Sequence, residues 1–267
     1  MSWNNQRVLE DKIAILVVSC DKFSDLWDPY FSLFFRFWPE CPFNIYLLSN
    51  RRNYIHPKVR CILTGEDVSW SDNLIFALKQ IEKEYVFMML DDFMLVNEIN
   101  NRNVIEIFNW AIKCNANYVK MDAALTADKK FNNFVGVISN GTIYRTSTIM
   151  PLWKTSTLLN ILRRGESAWD FEVFGTIRSD NYDGFYVTNE NHFQTANLVV
   201  KGKWEHRALR KVKSLGVSID LSSRKKFSKI GMAILYLKEF RSYLLKLTPS
   251  KYRRKIKHFL LGGKYNY

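Results

Sequence analysis

The chain is poor in the residues that interrupt regular structure, with 11 glycines and 6 prolines among 267 residues. That scarcity excludes a collagen-like chain and low-complexity disorder. No run of 18 apolar residues occurs, so the sequence predicts no transmembrane helix. The first residues, MSWNNQRVLEDK, lack an apolar segment followed by a small-residue cleavage site, and they predict no secretory signal.

Cysteine is also scarce, and its spacing excludes two kinds of protein. The four cysteines form no C-x-x-C pair. This argues against a zinc site or a disulfide framework and indicates reduced thiols in a cytoplasm. The glycine-rich fingerprints G-x-G-x-x-G and G-x-x-x-x-G-K-[ST] are absent as well. A nucleotide would therefore be held by side chains and backbone at strand ends, not in a glycine-rich phosphate loop.

Charge is distributed unevenly along the chain. Lys and Arg number 39 against 26 Asp and Glu, for a net charge of +13. Residues 201–267 hold 19 of the basic and 3 of the acidic residues, so they carry +16 and residues 1–200 carry −3. We expect a mildly acidic body over residues 1–205 and a basic helical tail over 206–267. Such a tail favours a polyanionic partner, either an anionic membrane face or nucleic acid, and a solvated basic helix face is the alternative.

The body alternates between strand and helix patterns. Short apolar, β-branched runs predict buried strands, and apolar residues at helical spacing predict the helices between them. Ser71 is the expected cap of the second helix. The predicted strands are 13–19, 44–48, 59–63, 85–90 and 118–121, and the predicted helices are 26–38, 72–81 and 102–114. This order indicates an α/β fold, Rossmann-like, whose mostly parallel central sheet is flanked by helices.

The later elements are predicted from turn and cap signals. Residues 135–144 read as a hairpin that turns at Asn140 and Gly141. Residues 152–163 have helical spacing, and Ser167 with Asp170 forms an S-x-x-D capping box that starts another helix over 168–178. Residues 230–247 are amphipathic and have basic flanks.

Asp91 and Asp92 follow directly on the apolar run YVFMML. Two carboxylates at the end of a buried strand cost several kcal/mol unless a cation or a solvated cleft stabilises them. Hard divalent cations such as Mn²⁺ or Mg²⁺ take oxygen ligands and often bridge to phosphates. The pair therefore predicts a metal site. A turn or a helix N-cap pair is the alternative.

The segment GESAWDFE carries three carboxylates around a tryptophan. Glu166, Asp170 and Glu172 are candidate general bases for a hydroxyl, and Trp169 can form a stacking face. The structural alternative makes Asp170 a helix cap and Glu172 part of a solvated face, whereas Glu166 precedes the helix and has no such explanation.

Three further groups of residues carry weaker signals. Ser19 and Asp21 follow the first strand and can contact a nucleotide there. His206 could complete a metal site, as could His192, although either is also an ordinary polar residue. Lys203, or Lys201 beside it, could neutralise a leaving diphosphate.

The order of these motifs resembles the GT-A-fold glycosyltransferases of bacterial capsule, O-antigen or lipopolysaccharide biosynthesis. The matching segments are VVSCDKF, SWSDNL, YVFMMLDDF, GESAWDFE and VVKGKW, and the resemblance spans roughly residues 13–204. The resemblance implies a nucleotide-sugar donor, in particular a UDP-sugar, bound by Ser19, Asp21, Asp72, Asp91 and Lys203. It also implies Mn²⁺ or Mg²⁺ held by Asp92 with Asp91, with His206 as a further ligand; a metal-independent variant is the alternative.

The same resemblance implies a reaction and a place. A base among Glu166, Asp170 and Glu172, in the first place Glu166 and then Asp170, would activate a hydroxyl of a glycan or lipid-linked glycan. The sugar would be transferred with inversion, and Trp169 would contact the acceptor. Such acceptors lie at the cytoplasmic face of a membrane. We therefore expect a cytoplasmic protein, peripheral on the inner face, whose tail lies on the anionic surface.

Other classes of protein remain as alternatives at this point. A nucleic-acid-binding protein would also have a basic tail with aromatic residues, but the chain has no zinc-finger or RNP-type motif. Nucleic acid is therefore the less favoured partner. A metal-dependent phosphatase-like hydrolase or nuclease could use Asp91 and Asp92. A binding protein without catalysis would need both acidic motifs to be structural.

Overall fold

The computed structural model describes residues 9–123, 125–246, 252, 253 and 256. The strands are β1 Ile13–Val18, β2 Asn44–Ser49, β3 Val59–Leu63, β4 Tyr85–Leu90, β5 Phe93–Leu95, β6 Tyr118–Lys120, β7 Lys129–Lys130, β8 Val135–Val137, β9 Pro151–Lys154, β10 Phe185–Thr188, β11 Thr195–Asn197, β12 Val199–Val200 and β13 Lys203–Trp204. The helices are α1 Trp27–Phe37, α2 Trp70–Ile81, α3 Asn101–Lys113, α4 Thr155–Ile161, α6 His206–Ser214 and α7 Lys229–Lys246. Between α4 and α6 lies α5, a helical run of three pieces: Ala168–Asp170, a π-helical turn Phe171–Gly175, and Thr176–Arg178.

A nine-stranded sheet forms the centre of the fold, in the order β3-β2-β1-β4-β9-β6-β10-β8-β7. The first four strands run parallel, with Ile13 opposite Tyr85 and Ala14 opposite Asn44. All six residues of β1 are buried because helices cover both faces of the sheet. Helices α1, α3 and α6 pack on one face, and α2, α4 and the start of the π turn pack on the other. The predicted α/β fold with a mostly parallel sheet is confirmed.

The second half of the sheet differs from the sequence prediction. Residues 152–154 were expected to begin a helix, but Pro151–Lys154 is a strand that pairs antiparallel with both β4 and β6. Leu152 and Trp153 are buried there, and Pro151 stands at the first position, where a strand tolerates its missing N–H. The expected hairpin over 135–144 is also wrong, because Val135–Val137 pairs with β7 and β10 instead.

Of the two helix caps predicted from the sequence, one is at the predicted residue and the other is two residues earlier. Ser69, not Ser71, caps α2: its Oγ accepts a hydrogen bond of 3.0 Å from the backbone N–H of Asp72. Ser71 is buried and accepts instead from the backbone N–H of Glu166 at 2.9 Å. The capping box of Ser167 and Asp170 is confirmed, with both of its reciprocal hydrogen bonds present.

The expected boundary at residue 205 lies within a packed unit. Ala208, Leu209 and Val212 of α6, and Ile219 after it, belong to the same apolar core as β1 and α1. Arg36 also donates to the backbone oxygen of Leu215 at 2.6 Å. Residues 206–219 are therefore part of the body, and the exposed basic element begins near α7. Within the ranges that the structure describes, no helix is long and apolar enough to cross a membrane.

Candidate active site

A cleft of about 660 Å³ lies at the carboxyl ends of β1, β2 and β4. In open α/β sheets this edge is where ligands bind. The β1 and β4 ends supply one part of the lining, and α5 and the β12–β13 turn supply another. The cleft is lined by Val18, Ser19, Cys20, Phe23, Leu48, Asp67, Val68, Ser69, Trp70, Asn73, Leu90, Asp91, Asp92, Phe93, Thr148, Ile149, Ala168, Trp169, Glu172, Asn197, Val199, Val200 and Lys201.

The acidic pair lies at the floor of this cleft. Asp91 is 4% exposed, and the hydroxyl of Ser19 donates a short hydrogen bond to its carboxylate. Trp27 Nε1 in turn donates to Ser19 Oγ at 2.8 Å, which fixes that hydroxyl. Burial, and then the neighbouring Asp92 charge, raise the pKa of Asp91, and burial raises the pKa of Asp92. Carboxylates desolvated in this way are stabilised as anions by a nearby cation.

The chemistry of the donor set fits a hard divalent cation. Asp92 lines the cleft beside Asp91, and Asn197 lines it from β11. The Oδ1 of Asn197 is buried and has no hydrogen-bond partner among the residues that the structure describes. Carboxylate and amide oxygens are the ligands that Mn²⁺ and Mg²⁺ prefer. Across the described residues, no cluster of three His, Cys, Asp or Glu side chains that could hold a metal is found.

Two of the expected donor-binding carboxylates are occupied by the fold. Asp21 accepts from the backbone N–H groups of residues 50, 51 and 52 at 3.0–3.1 Å, and it joins the loops after β1 and β2. Although desolvation opposes the shift, these hydrogen bonds hold its pKa below the ordinary value. Asp72 accepts from Ser69 Oγ at 2.6 Å and from the backbone N–H of Gly165 at 2.9 Å. Neither residue lines the cleft, so both position loops around it.

The lysine that lines the cleft is Lys201 rather than the expected Lys203. Lys201 and Gly202 both have positive φ, of 50° and 71°, and form the two-residue turn between β12 and β13. Positive φ at both central residues is the signature of a type I′ hairpin turn. Lys203 is on the strand after the turn, and its Nζ lies 5.6 Å from the centre of the Phe227 ring.

Neither histidine candidate lines the cleft. His206 starts α6, and its Nε2 lies 3.1 Å from the backbone oxygen of Phe227. The His206 ring therefore contacts Phe227 and does not reach the expected metal site at Asp91 and Asp92. His192 lines a separate depression of about 160 Å³ between α3 and the loop after β10. Burial lowers its pKa, although the charge of Glu190 opposes the shift.

The three acids of GESAWDFE have three different surroundings. Glu166 pairs with Arg178 at 2.7 Å and accepts from the backbone N–H of Arg163 at 3.3 Å, and it does not line the cleft. Asp170 is taken up by its capping box, since Ser167 Oγ donates to it at 2.6 Å and lowers its pKa. Only Glu172 lines the cleft. The structure therefore reverses the expected order, in which Glu166 came first.

The hydrogen bonds of Glu172 hold one of its carboxylate oxygens and leave the other without a donor among the described residues. Its Oε1 accepts from the backbone N–H of Thr148 at 2.9 Å and from the Thr148 hydroxyl at 3.0 Å. Within the described part of the chain, no hydrogen-bond donor reaches Oε2. Ser147 beneath it accepts from buried Lys120 at 2.9 Å. A carboxylate held at one oxygen and open at the other has the geometry of a general base.

A π-helical turn places Glu172 there. Phe171–Gly175 is a π-helical turn, in which backbone hydrogen bonds join residues five positions apart. Such turns are frequent at functional sites. Gly175 allows the turn to pack closely, because a Cβ at that position would lie 3.0 Å from the Phe171 ring and 3.3 Å from Thr146 Oγ1. One turn earlier, Trp169 lines the same cleft and is 71% exposed, so its ring is open to a ligand.

Several cleft residues escaped the sequence analysis. Asn197 and Thr148 belong to short segments with no periodic pattern, and Asp67 lies in a loop, where it accepts from Asn73 Nδ2 at 2.9 Å. Lys201 was already a candidate beside Lys203, and the turn K-G between two short apolar pairs is a hairpin pattern that would have favoured it. Arg224, in the presumed tail, carries a charge that lowers the pKa of both Asp91 and Asp92 against the burial that raises them.

The fold and the position of the cleft define an α/β protein with a candidate ligand cleft at the carboxyl edge of its sheet. Among solved structures, S. aureus TarS 1–349 is similar in complex with UDP-GlcNAc, at 14% identity and a TM-score of 0.50 over 79% of this chain and 68% of TarS. The TarS complex with UDP is 12% identical, with a TM-score of 0.50 over 79% of this chain and 67% of TarS 1–349. UTP-bound UGPase from Acinetobacter baumannii is 11% identical, with a TM-score of 0.50 over 89% of this chain and 99% of the UGPase. The chain thus spans about two thirds of TarS 1–349. No protein-family model and no curated protein sequence matches the chain.

Proposed function

We propose that this protein is an inverting glycosyltransferase. It moves a sugar from a nucleotide-sugar, in the first place a UDP-sugar, to a hydroxyl of a glycan or lipid-linked glycan acceptor in surface polysaccharide synthesis. One observation carries the proposal: an acidic pair, a carboxylate with one open oxygen and an exposed tryptophan meet in one cleft at the carboxyl edge of a parallel sheet. The similar structures with UDP, UDP-GlcNAc and UTP support a uridine nucleotide.

The donor diphosphate lies over the acidic pair in this proposal. Asp92 and Asp91, the latter anchored by Ser19, would hold Mn²⁺ or Mg²⁺, with Asn197 as a further oxygen ligand. Such a metal, when bound, would supply Lewis-acid chemistry that neutralises charge on the diphosphate. Lys201 adds a positive charge at the tip of the β12–β13 turn and takes the role expected of Lys203.

Glu172 is the proposed general base. Its Oε2 accepts the proton of the acceptor hydroxyl while the hydroxyl oxygen forms a bond to the anomeric carbon. The bond from that carbon to the diphosphate oxygen breaks, and the diphosphate leaves with the electron pair. Attack opposite the leaving group inverts the anomeric configuration. Trp169, three residues before the base in the sequence, lines the same cleft and offers its exposed ring to the acceptor sugar.

A nucleotidyltransferase is the second candidate, because the chain covers 99% of the similar UGPase. Such a reaction must bind a triphosphate, and the loop after β1 has no glycine to bring backbone N–H groups close to it. The two reactions are distinguished by their products. Consumption of UTP with a sugar 1-phosphate and release of diphosphate would replace our proposal, whereas release of UDP from a UDP-sugar supports it.

The first experiment measures thermal stabilisation of the full-length protein by UDP, GDP, CMP and dTDP, with and without Mn²⁺. A ligand at 100 times its dissociation constant adds about 2.7 kcal/mol to the free energy of unfolding, which is readily visible. We expect a shift with UDP that grows with Mn²⁺. An equal shift without metal assigns the diphosphate to Lys201. The absence of a shift with every nucleotide contradicts the proposal.

We also propose that α7 docks on an anionic membrane at the cytoplasmic face, where a lipid-linked acceptor lies. Met232 is 6% exposed, and Arg207 stacks on Tyr236 with its Cζ 3.7 Å from the ring centre, so this side of α7 faces the body. Ile230, Ile234 and Leu237 are 75%, 49% and 69% exposed. At 100° per residue these three lie roughly opposite Met232 and Tyr236. An outward apolar stripe with basic neighbours suits a lipid interface.

Sedimentation with liposomes tests the membrane proposal. We expect binding to vesicles with anionic lipid at physiological salt, little binding to neutral vesicles, and loss of binding in an Ile234→Glu/Leu237→Glu variant. Phe76, a 41% exposed residue on α2, provides the matched control as Phe76→Glu. Binding to RNA that exceeds binding to anionic vesicles, or self-association through α7, would refute the membrane assignment.

A further inference from the structure

We propose that Arg224 is a positioning residue for the donor cleft: it clamps the turn after β1 and thereby holds Phe23 as a wall of the cleft. Composition had assigned this arginine to the basic tail. The inference rests on the proposed function for its nucleotide readout, and a second readout below is independent of any nucleotide.

The guanidinium of Arg224 is almost fully enclosed. Its side chain is 8% exposed and forms an ion pair with Asp25, which is 21% exposed. Nη2 donates to the backbone oxygen of Lys22 at 2.9 Å. The guanidinium Cζ also lies 4.7 Å from the centre of the Phe23 ring and 5.2 Å from that of Trp204. One side chain thus contacts three of the six residues of the 3-10 turn Asp21–Leu26.

The neighbouring residue strengthens this attachment. Ser223 Oγ donates to the same Asp25 carboxylate at 2.8 Å. At the other end of the turn, Asp21 is fixed to the loop after β2 by backbone N–H groups. The turn is therefore held at one end by the loop after β2 and at the other by the C-terminal segment that contains Ser223 and Arg224. Phe23 lies between these two attachments and lines the cleft with Ser19 and Cys20.

The same segment is connected to the acidic pair through the backbone. Trp204 N–H donates to the Lys225 oxygen at 3.0 Å, and Glu205 N–H donates to the Leu198 oxygen at 2.8 Å. Leu198 N–H donates to the Asp92 oxygen, again at 2.8 Å. Arg224 therefore bridges the two parts of the cleft that a nucleotide diphosphate must span: the loop after β1 and the metal-binding edge.

Arg36 provides a matched control, because it attaches the same C-terminal segment at another point. Its Nη1 donates to the Leu215 oxygen at 2.6 Å, and it does not line the cleft. If the segment only needs to be attached for stability, Arg36→Ala and Arg224→Ala have similar effects. If Arg224 positions the turn, only Arg224→Ala alters donor binding.

The first readout is calorimetric binding of UDP, with Mn²⁺, to the full-length protein. Arg224→Ala is expected to raise the dissociation constant at least about tenfold, because UDP must then also order the released turn when it binds. We expect kcat at saturating donor and the KM for acceptor to change less than the donor KM. Arg224→Lys keeps the charge and restores part of the affinity. Asp25→Asn should reproduce the loss, and Arg36→Ala should bind UDP nearly as the unmodified protein does.

The second readout is hydrogen exchange of the peptide covering residues 19–27. We expect faster exchange in Arg224→Ala and in Asp25→Asn, and no change there in Arg36→Ala. This holds even if UDP fails to bind the unmodified protein, which would contradict the proposed function alone. Unchanged exchange in folded Arg224→Ala, or an equal loss of UDP affinity in Arg36→Ala, overturns the inference. If Arg224→Ala does not fold, Arg224→Lys and Asp25→Asn decide by the same criteria.

Discussion

The two acidic motifs of this protein, LDDF and GESAWDFE, differ in how their carboxylates reach the cleft. Asp91 and Asp92 come at the end of a buried strand, so the sheet carries both to its carboxyl edge. The acids of GESAWDFE are spread over a loop, a helix start and a π turn, and each points to different partners. The sequence therefore predicts where a carboxylate at a strand end lies. For a carboxylate near a helix start, the direction of the side chain depends on whether the turn is α-helical or π-helical, which the sequence does not show.

The largest expected effect tests the second motif. Glu172→Gln keeps the hydrogen bonds to Thr148 but cannot accept a proton, so kcat should fall by about 10²- to 10⁴-fold. The donor KM should stay near its original value. Asp170→Asn is the matched variant, since it changes the capping box three residues after Ser167 without altering a cleft carboxylate. A greater loss of kcat in Asp170→Asn than in Glu172→Gln would restore the order expected from the sequence.

The acidic pair is tested next. Asp92→Asn removes one charge from the proposed metal site, and we expect a loss of about 10²-fold in kcat/KM together with a weaker response to Mn²⁺. Titration of activity with Mn²⁺ gives the measurement. An unchanged metal response in Asp92→Asn would mean that the pair stabilises the strand end and does not hold the cation.

A smaller effect compares two lysines. Lys201→Ala should weaken UDP binding by about tenfold, because one charge near a diphosphate is lost. Lys203→Ala should leave UDP affinity nearly unchanged, since this side chain lies by Phe227. Calorimetry on the two variants decides between them, and the reverse result would move the diphosphate toward the strand β13.

The smallest effect on activity is expected for Glu166. Glu166→Gln breaks the pair with Arg178, in which both side chains are mostly buried, and the free energy of unfolding should fall by about 1–3 kcal/mol. Catalytic activity measured well below the melting temperature should change less than twofold. A loss of activity comparable to that of Glu172→Gln would identify Glu166 as the base after all.

Much of the first half of the fold could be predicted from the sequence. Strands such as Tyr85–Leu90 are continuous apolar runs, and their burial on both faces leaves little freedom in register. Pro151–Lys154 was missed because its four residues share apolar spacing with the following helix. Only pairing with β4 and β6 makes them a strand.

The cleft was predictable in outline and not in detail. The acidic pair and Trp169 line the cleft, whereas Asp72, Glu166, Lys203 and His206 are engaged outside the cleft lining. Their partners come from distant parts of the chain, and no local pattern records such contacts. Asn197 and Arg224 were missed for the same reason, since their importance depends on where the segment after β10 packs.

The strand Pro151–Lys154 also bears on how the chain acquires its structure during synthesis. It lies between β4 and β6, and its partner residues Tyr85–Phe87 are made well before it. Until residue 154 has left the ribosome, one edge of β4 stays unpaired and open to association with other chains. Pairings between residues so far apart in sequence also form slowly. Pairing of Pro151–Lys154 with β4 is therefore expected to limit the folding rate. Nascent chains that end before residue 151 should depend most on chaperones.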